Sequence, residues 1–208
     1  MAKLYFKYGA VGSAKTLNLL AVAHNYKQQN KKAILIKPYL DDRFGRSVIK
    51  SRAGLETEAD ILVEDDTDLL SYDYSNISCV LVDEAQFLTV KNIDQLRKIT
   101  LDFGIPVICY GLRNDFKSFL FEGTKRLMEV ADAIDEIKST CYYCERKATQ
   151  NLKYVNGIPT DKGPSVELGA EEKYHPACFK CYHSLLEEAK ESKIEVFNPD
   201  EVLETTQV

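Results

Sequence analysis

Three groups of residues in this 208-residue chain have types and spacings suited to chemistry. The first is Gly9, Ala10, Val11, Gly12, Ser13, Ala14, Lys15 and Thr16, which follows the apolar run Leu4–Tyr8 and leads into a helical pattern. Gly, four residues, Gly, Lys, Ser/Thr between a strand and a helix is the pattern of a loop that cradles phosphates. Backbone N–H groups turn inward around phosphate oxygens, and the helix N-terminus adds a partial positive charge. In such a loop Lys15 reaches the outer phosphates and Thr16 places its hydroxyl on Mg2+. One position departs, because Ala14 stands where the second glycine belongs. Its methyl costs about 1–2 kcal/mol if residue 14 is left-handed, and little otherwise. Gly9 and Gly12 are expected to supply the permissive dihedrals. The competing reading is an ordinary strand–turn–helix with a chance lysine.

The second group is Asp83-Glu84, directly after the apolar run Ile77–Val82. In phosphate-loop proteins an acid at the end of a neighbouring strand holds Mg2+, which suits Asp83. Glu84 faces away if the strand continues, or into the mouth of the site if it has ended; there it can accept a proton from a nucleophile. Acids at strand ends are commonly just solvated, so this pair takes its meaning from the loop. The third group is Cys141, Cys144, Cys178 and Cys181, two Cys-x-x-Cys pairs. Four thiolates close a tetrahedral shell around one Zn2+ and leave no open position, so the site is structural. His175 and His183 lie nearby in sequence and are read as non-ligands, since four cysteines suffice. Cys79 and Cys109 sit in apolar runs and read as small buried apolar residues.

The elements that must position these groups are legible in outline. Apolar runs of strand length occur at residues 4–8, 33–37, 60–63, 77–82 and 105–110, with 133–137 a further candidate. Helical patterns cover residues 16–28 and 90–102. In the second, Ile93, Leu96, Arg97 and Thr100 recur at helical spacing, and Gly104 with Pro106 ends it. Residues 124–130 and 178–192 read as further helices. This alternation predicts an α/β fold with a parallel sheet covered on both faces. The character changes near residue 140, where cysteine pairs, two Gly/Pro segments and a final acidic helix follow. The segment 145–177 between the pairs is too long for a plain connector and is read as a functional or disordered loop.

Composition narrows the classes. The chain is 45% hydrophobic and 28% charged, as expected of a folded soluble protein. A net charge of −5 leaves no basic footprint for a long nucleic acid. No run approaches a membrane span, and no secretion signal precedes the first strand, so an intracellular protein with reduced cysteines is expected.

Further segments agree with the loop and the acidic pair. With Asp83-Glu84-Ala85-Gln86-Phe87, Tyr110-Gly111-Leu112-Arg113-Asn114-Asp115-Phe116, Lys37-Pro38 and Asp41-Asp42-Arg43-Phe44-Gly45, the chain resembles the cytosolic (type II) thymidine kinase family in its bacterial form. The resemblance runs from Met1 to about Lys193. It implies a parallel-sheet P-loop NTPase-like domain over residues 1–139. A small zinc-binding domain with a lasso loop over residues 140–193 and a disordered tail over residues 194–208 would follow.

The implied reaction transfers the γ-phosphoryl of ATP, with Mg2+, to the 5′-hydroxyl of thymidine, with deoxyuridine as a second substrate. Glu84 is then the base, Asp83 works on the Mg2+ side with Thr16, and Lys15 and Arg43 match the charge of the transferring group. Arg52 is a second arginine candidate. On the nucleoside side the resemblance assigns Phe116 to packing on thymine and Leu112 to a pocket wall. Val11 faces the nucleobase, where relatives often carry methionine, and Gln86 is a further pocket residue. Val166, Leu168 and Gly169 fall in the lasso stretch that holds the base through backbone groups, with Ala170 replacing a usual glycine and Tyr174 beyond it. Loss of zinc is expected to disorder this lasso while sparing the phosphate loop.

The family also implies a cytoplasmic homotetramer inhibited by thymidine triphosphate, with no membrane or polymeric nucleic acid as partner. Two rival readings are a zinc-ribbon P-loop ATPase acting on nucleic acid and a catalytically weakened relative. The acidic charge opposes the first, and the retention of Glu84 opposes the second.

Overall fold

The computed structural model describes residues 1–165 and 173–195. The first part of the chain forms β1 (Leu4–Tyr8), β2 (Lys32–Pro38), β3 (Val48–Lys50), β4 (Glu56–Glu58), β5 (Ile61–Val63), β6 (Ile77–Val82), β7 (Val107–Gly111) and β8 (Ala133–Glu136). Helices α1 (Lys15–Gln28), α2 (Val90–Asp102) and α3 (Glu122–Val130) lie between them. Strands β3 and β4 pair with each other, while the rest build one sheet in the order β5-β2-β6-β7-β1-β8. Every neighbouring pair in that sheet is parallel.

The strands read as continuous apolar runs because both faces are covered. Ile34 and Ile36 of β2 and Val80 and Val82 of β6 join one core with Ile93, Leu96 and Ile99 of α2 and Leu127 of α3. The intervening Leu35, Cys79 and Leu81 join the opposite core with Leu19 and Leu20 of α1. Cys79 and Cys109 are fully buried, as their apolar context implies. Helix α2 starts at a capping box in which Thr89 and Asn92 satisfy each other's backbone N–H groups.

After residue 140 a second, antiparallel sheet forms from β9 (Gln150–Val155), β10 (Ile158–Thr160) and β11 (Tyr174–Ala177), in the order β10-β9-β11. Helix α4 (Phe179–Glu195) follows. Leu152, Ala177, Tyr182 and Leu186 give this part its own small core. About half of the described residues in the segment read from sequence as one long loop are therefore in strands. The missed signal was Asn156-Gly157, whose φ angles of 52° and 78° make a two-residue hairpin turn between β9 and β10.

Gly111 ends β7 against the turn that follows β6. A Cβ there would lie 2.7 Å from Gln86 Oε1 and 3.2 Å from Gln86 N. Gly111→Ala is expected to destabilise the fold by about 1–3 kcal/mol, measured by urea unfolding, because backbone must shift to admit the methyl. An unchanged midpoint would show that the two turns do not approach this closely.

Candidate active site

In a parallel sheet all the carboxyl ends emerge along one edge, and ligands bind there. β1 runs into the phosphate loop, β2 leads to Asp41 and Arg43, β6 to Asp83 and Glu84, and β7 to Leu112 and Phe116. Residues far apart in sequence thus meet because their strands are neighbours.

The loop resolves the question left at Ala14. Its φ of 62° and ψ of 29° are left-handed, so this alanine occupies the strained alternative. Gly12 is also left-handed, at φ 74°. Gly9 serves differently from the expectation. Its φ is not positive, and what it supplies is room, since a Cβ there would lie 2.5 Å from the Ile137 carbonyl. Lys15 Nζ curls under the loop and donates to the Ala10 carbonyl at 2.8 Å. Burial pushes its pKa down to about 8, although Glu84 and Asp83 pull the other way. Thr16 Oγ1 donates to Asp83 Oδ2 at 3.1 Å, joining the two groups assigned to the metal side.

Strand β6 stops at Val82, so Glu84 turns into the site mouth, with φ 49° and ψ 38°. Its Oε1 accepts from Arg43 Nη2 at 2.6 Å and its Oε2 from Gln86 Nε2 at 2.5 Å. Gln86 Oε1 accepts the Leu112 N–H at 2.9 Å, which ties the acidic turn to the segment after β7. Arg43 Nε also donates to Asp41 Oδ1 at 2.5 Å, and Asp41 Oδ2 meets Lys37 Nζ at 3.2 Å. The result is an alternating chain of four charges, Lys37, Asp41, Arg43 and Glu84.

This arrangement drives the two adjacent carboxyls apart. Burial, then the neighbouring Glu84, raises Asp83 to about 7. Burial acts upward on Glu84 too, but Arg43 and Lys15 outweigh it and hold that carboxyl below its ordinary range. Burial likewise opposes the charge of Arg43, and Glu84 and Asp41 more than offset it. The Glu84 carboxylate is thus favoured as an ionised acceptor, while burial and its neighbour disfavour the charge on Asp83.

A cleft of about 350 Å³ opens over these groups, lined by loop residues 11–16, Arg43, Arg52, Glu84 and Leu112. Arg52, a weaker candidate in sequence, thus stands at the loop, with Nη1 3.5 Å from the position of a Cβ on Gly12. Val11 and Leu112 line the cleft. Phe116 does not line it. The ring is buried, with Lys153 Nζ 4.7 Å from its centroid and the Tyr174 ring 6.2 Å away. Val166, Leu168, Gly169 and Ala170, and the tail beyond residue 195, lie outside the described residues. Sequence reading missed Lys37, Asp41 and Lys153 as individuals. A lysine at the end of the run Ala33-Ile34-Leu35-Ile36 was the one available signal, since so apolar a strand buries its end.

The cysteines fit one metal ion. The Sγ atoms of Cys141, Cys144, Cys178 and Cys181 all lie within 4.8 Å of one another, and no histidine joins that cluster among the described residues. Cys144 Sγ is 3.7 Å from both Cys178 Sγ and Cys181 Sγ. A zinc–sulfur distance of about 2.3 Å sets a tetrahedral edge of about 3.8 Å. The Cys181 N–H donates to Cys178 Sγ at 3.5 Å and lowers that thiol to about 7, which favours the ligating thiolate. His175 instead stacks on Tyr142 and bonds Tyr143 Oη through Nδ1 at 2.8 Å.

A family model described as thymidine kinase matches residues 2–182, which includes the loop, the acidic pair and all four clustered cysteines. A thymidine kinase of Streptococcus agalactiae serotype Ia is 45% identical over 186 residues, covering 88% of this chain and 97% of the relative. One of Streptococcus pyogenes serotype M3 is 42% identical over the same share of each chain. The chain belongs to the thymidine kinase family. A crystal structure of Pif1 helicase from Candida albicans aligns with a TM-score of 0.40 at 11% identity, over 66% of this chain and 36% of that one. A likeness that slight carries no argument. Among the described residues no helix is long and apolar enough to cross a membrane.

Two substitutions test the loop as this family member presents it. Ala14→Gly relieves the left-handed methyl but adds freedom to the unfolded chain, so a net gain of about 0.5–1 kcal/mol in urea unfolding is expected. No gain would place residue 14 at an ordinary φ. Lys15→Met removes a buried ammonium whose pKa lies below the lysine value of 10.5. Between about pH 8 and 10.5 the unfolded chain holds that proton more tightly, so the stability of the parent rises with pH relative to the variant. At pH 7 the ligand-free variant should melt about 2–4 °C higher while losing nucleotide binding, and the margin should shrink toward pH 10. A margin that is constant with pH would show that Lys15 carries no depressed pKa.

Proposed function

We propose that this chain transfers the γ-phosphoryl of ATP to the 5′-hydroxyl of thymidine, and of deoxyuridine as a second substrate. The observation that carries the reading is the convergence of Lys15, the Thr16–Asp83 pair and the ionised Glu84–Arg43 pair on one cleft, in a chain of this family. Glu84 takes the proton of the 5′-hydroxyl as the new O–P bond forms and the bond to the β-phosphate oxygen breaks, releasing ADP. Held below its ordinary pKa, Glu84 is already deprotonated at neutral pH. Lys15 and Arg43, with Arg52 beside the loop, compensate the charge of the transferring group. Val11 and Leu112 bound the acceptor side, with Gln86, Phe116, Tyr174 and Val166, Leu168 and Gly169 completing the proposed nucleoside site.

Thr16 and Asp83 are the residues that would hold Mg2+, which would supply positive charge to offset that of the phosphates. The four cysteines would hold a structural Zn2+, with no open position for chemistry. A cytoplasmic homotetramer inhibited by thymidine triphosphate belongs to the same reading and rests on family membership alone.

A coupled assay with ATP, Mg2+ and thymidine should release ADP and thymidine monophosphate. Turnover that responds to DNA and not to thymidine would overturn the reading. Glu84→Gln is expected to lower kcat by at least about 100-fold, while calorimetry finds thymidine affinity nearly intact. Undiminished turnover would remove Glu84 from the role of base.

A further inference from the structure

The sequence offered no signal for Asn151, a polar residue inside β9 that is only 3% exposed. Its amide makes two long-range bonds at once. Oδ1 accepts the Val11 N–H of the phosphate loop at 2.8 Å, and Nδ2 donates to the Asn114 carbonyl at 2.8 Å. Asn114 Nδ2 in turn donates to Gln150 Oε1 at 2.6 Å, and Ser118 Oγ donates to the same oxygen at 2.8 Å. Arg113 Nη2 completes the seam by donating to the Thr149 carbonyl at 2.9 Å.

Several consequences follow from that geometry. The Val11 N–H is engaged by Asn151, so one amide of the loop is anchored from outside the cradle. The same amide group also grips the segment that carries Leu112 and Phe116. Asparagine suits this place because one flat side chain presents a donor and an acceptor in fixed relation. Its strand is held in turn by β11, whose Ala177 carbonyl accepts the Thr149 N–H at 2.8 Å and immediately precedes Cys178. The phosphate loop is therefore bonded directly to the sheet that carries the cysteine cluster.

We propose that Asn151 is a positioning residue for the phosphate donor, setting the conformation of the loop through the Val11 N–H. This rests on the reading of residues 9–16 as a phosphate loop. Calorimetric titration with Mg-ATP should show Asn151→Ala binding about tenfold more weakly than the parent, because a buried donor and a buried acceptor lose their partner. At saturating ATP, kcat should stay within about threefold, so the loss appears in KM. Leu186→Ala, which opens a cavity in the small core away from the loop, should lower the melting temperature and leave ATP affinity within about twofold. If Leu186→Ala weakens ATP as much as Asn151→Ala does, the effect is general softness and the proposal fails.

Unchanged ATP affinity in Asn151→Ala, with a parent that binds ATP, overturns the positioning role alone. A parent that does not bind ATP removes the phosphate-loop reading and this role with it. Should Asn151→Ala not fold, amide exchange in the nucleotide-free parent decides the matter. The Val11 N–H should exchange far more slowly than a solvated loop amide, and exchange at the solvated rate overturns the proposal.

Discussion

The burial of two consecutive carboxyls at the end of β6 is the constraint around which the active edge is built. Asp83 and Glu84 are 5% and 8% exposed, and a low-dielectric site cannot hold both charges without cations. Arg43 supplies one directly and is itself steadied by Asp41, which Lys37 steadies from a fully buried position. Lys15 supplies a second charge at the cost of a depressed pKa of its own. Among these side chains the charges are thus close to balance, so an anionic ligand would enter by replacing partners that are already in place.

Strain gathers in the same place. Ala14 and Glu84, two of the six non-glycine residues at positive φ among the described residues, both line the cleft. Such conformations cost of order 1–3 kcal/mol and persist only where surrounding bonds determine them. For Glu84 those bonds are its two carboxylate contacts and the approach of Gln86 to Gly111, where only a glycine fits. For Ala14 they are the turn made by Ser13 N–H on the Ala10 carbonyl and the start of α1, where the Asn18 N–H bonds the Ala14 carbonyl.

The small second sheet has a modest core, and cores of that size commonly rely on a staple. The cysteine cluster sits where β11 meets α4, so a metal ion held there would fix both at once. Across the seam at Gln150 and Asn151 this sheet is hydrogen-bonded to the loop and to the segment after β7. Tyr182 adds a further tie by donating to the Phe116 carbonyl at 2.7 Å.

Much of this was legible in order of residues alone. The phosphate-loop spacing, the acids after an apolar strand, the paired cysteines and the alternation of strand and helix are local patterns, and local backbone preferences and burial periodicity encode them. Those patterns determined the α/β class, the loop, the acidic pair and the cysteine cluster. The tertiary structure alone decided that Ala14 is left-handed, that Gly9 provides space, and that Phe116 lies buried under Lys153. It also decided that Arg43 pairs directly with Glu84 and is backed by Asp41 and Lys37, and that Asn151 bonds the loop across 140 residues of sequence. These facts depend on which strands become neighbours and which charges must share a buried space. No spacing in the sequence records that, because the energy resides in contacts between segments that have no local reason to meet.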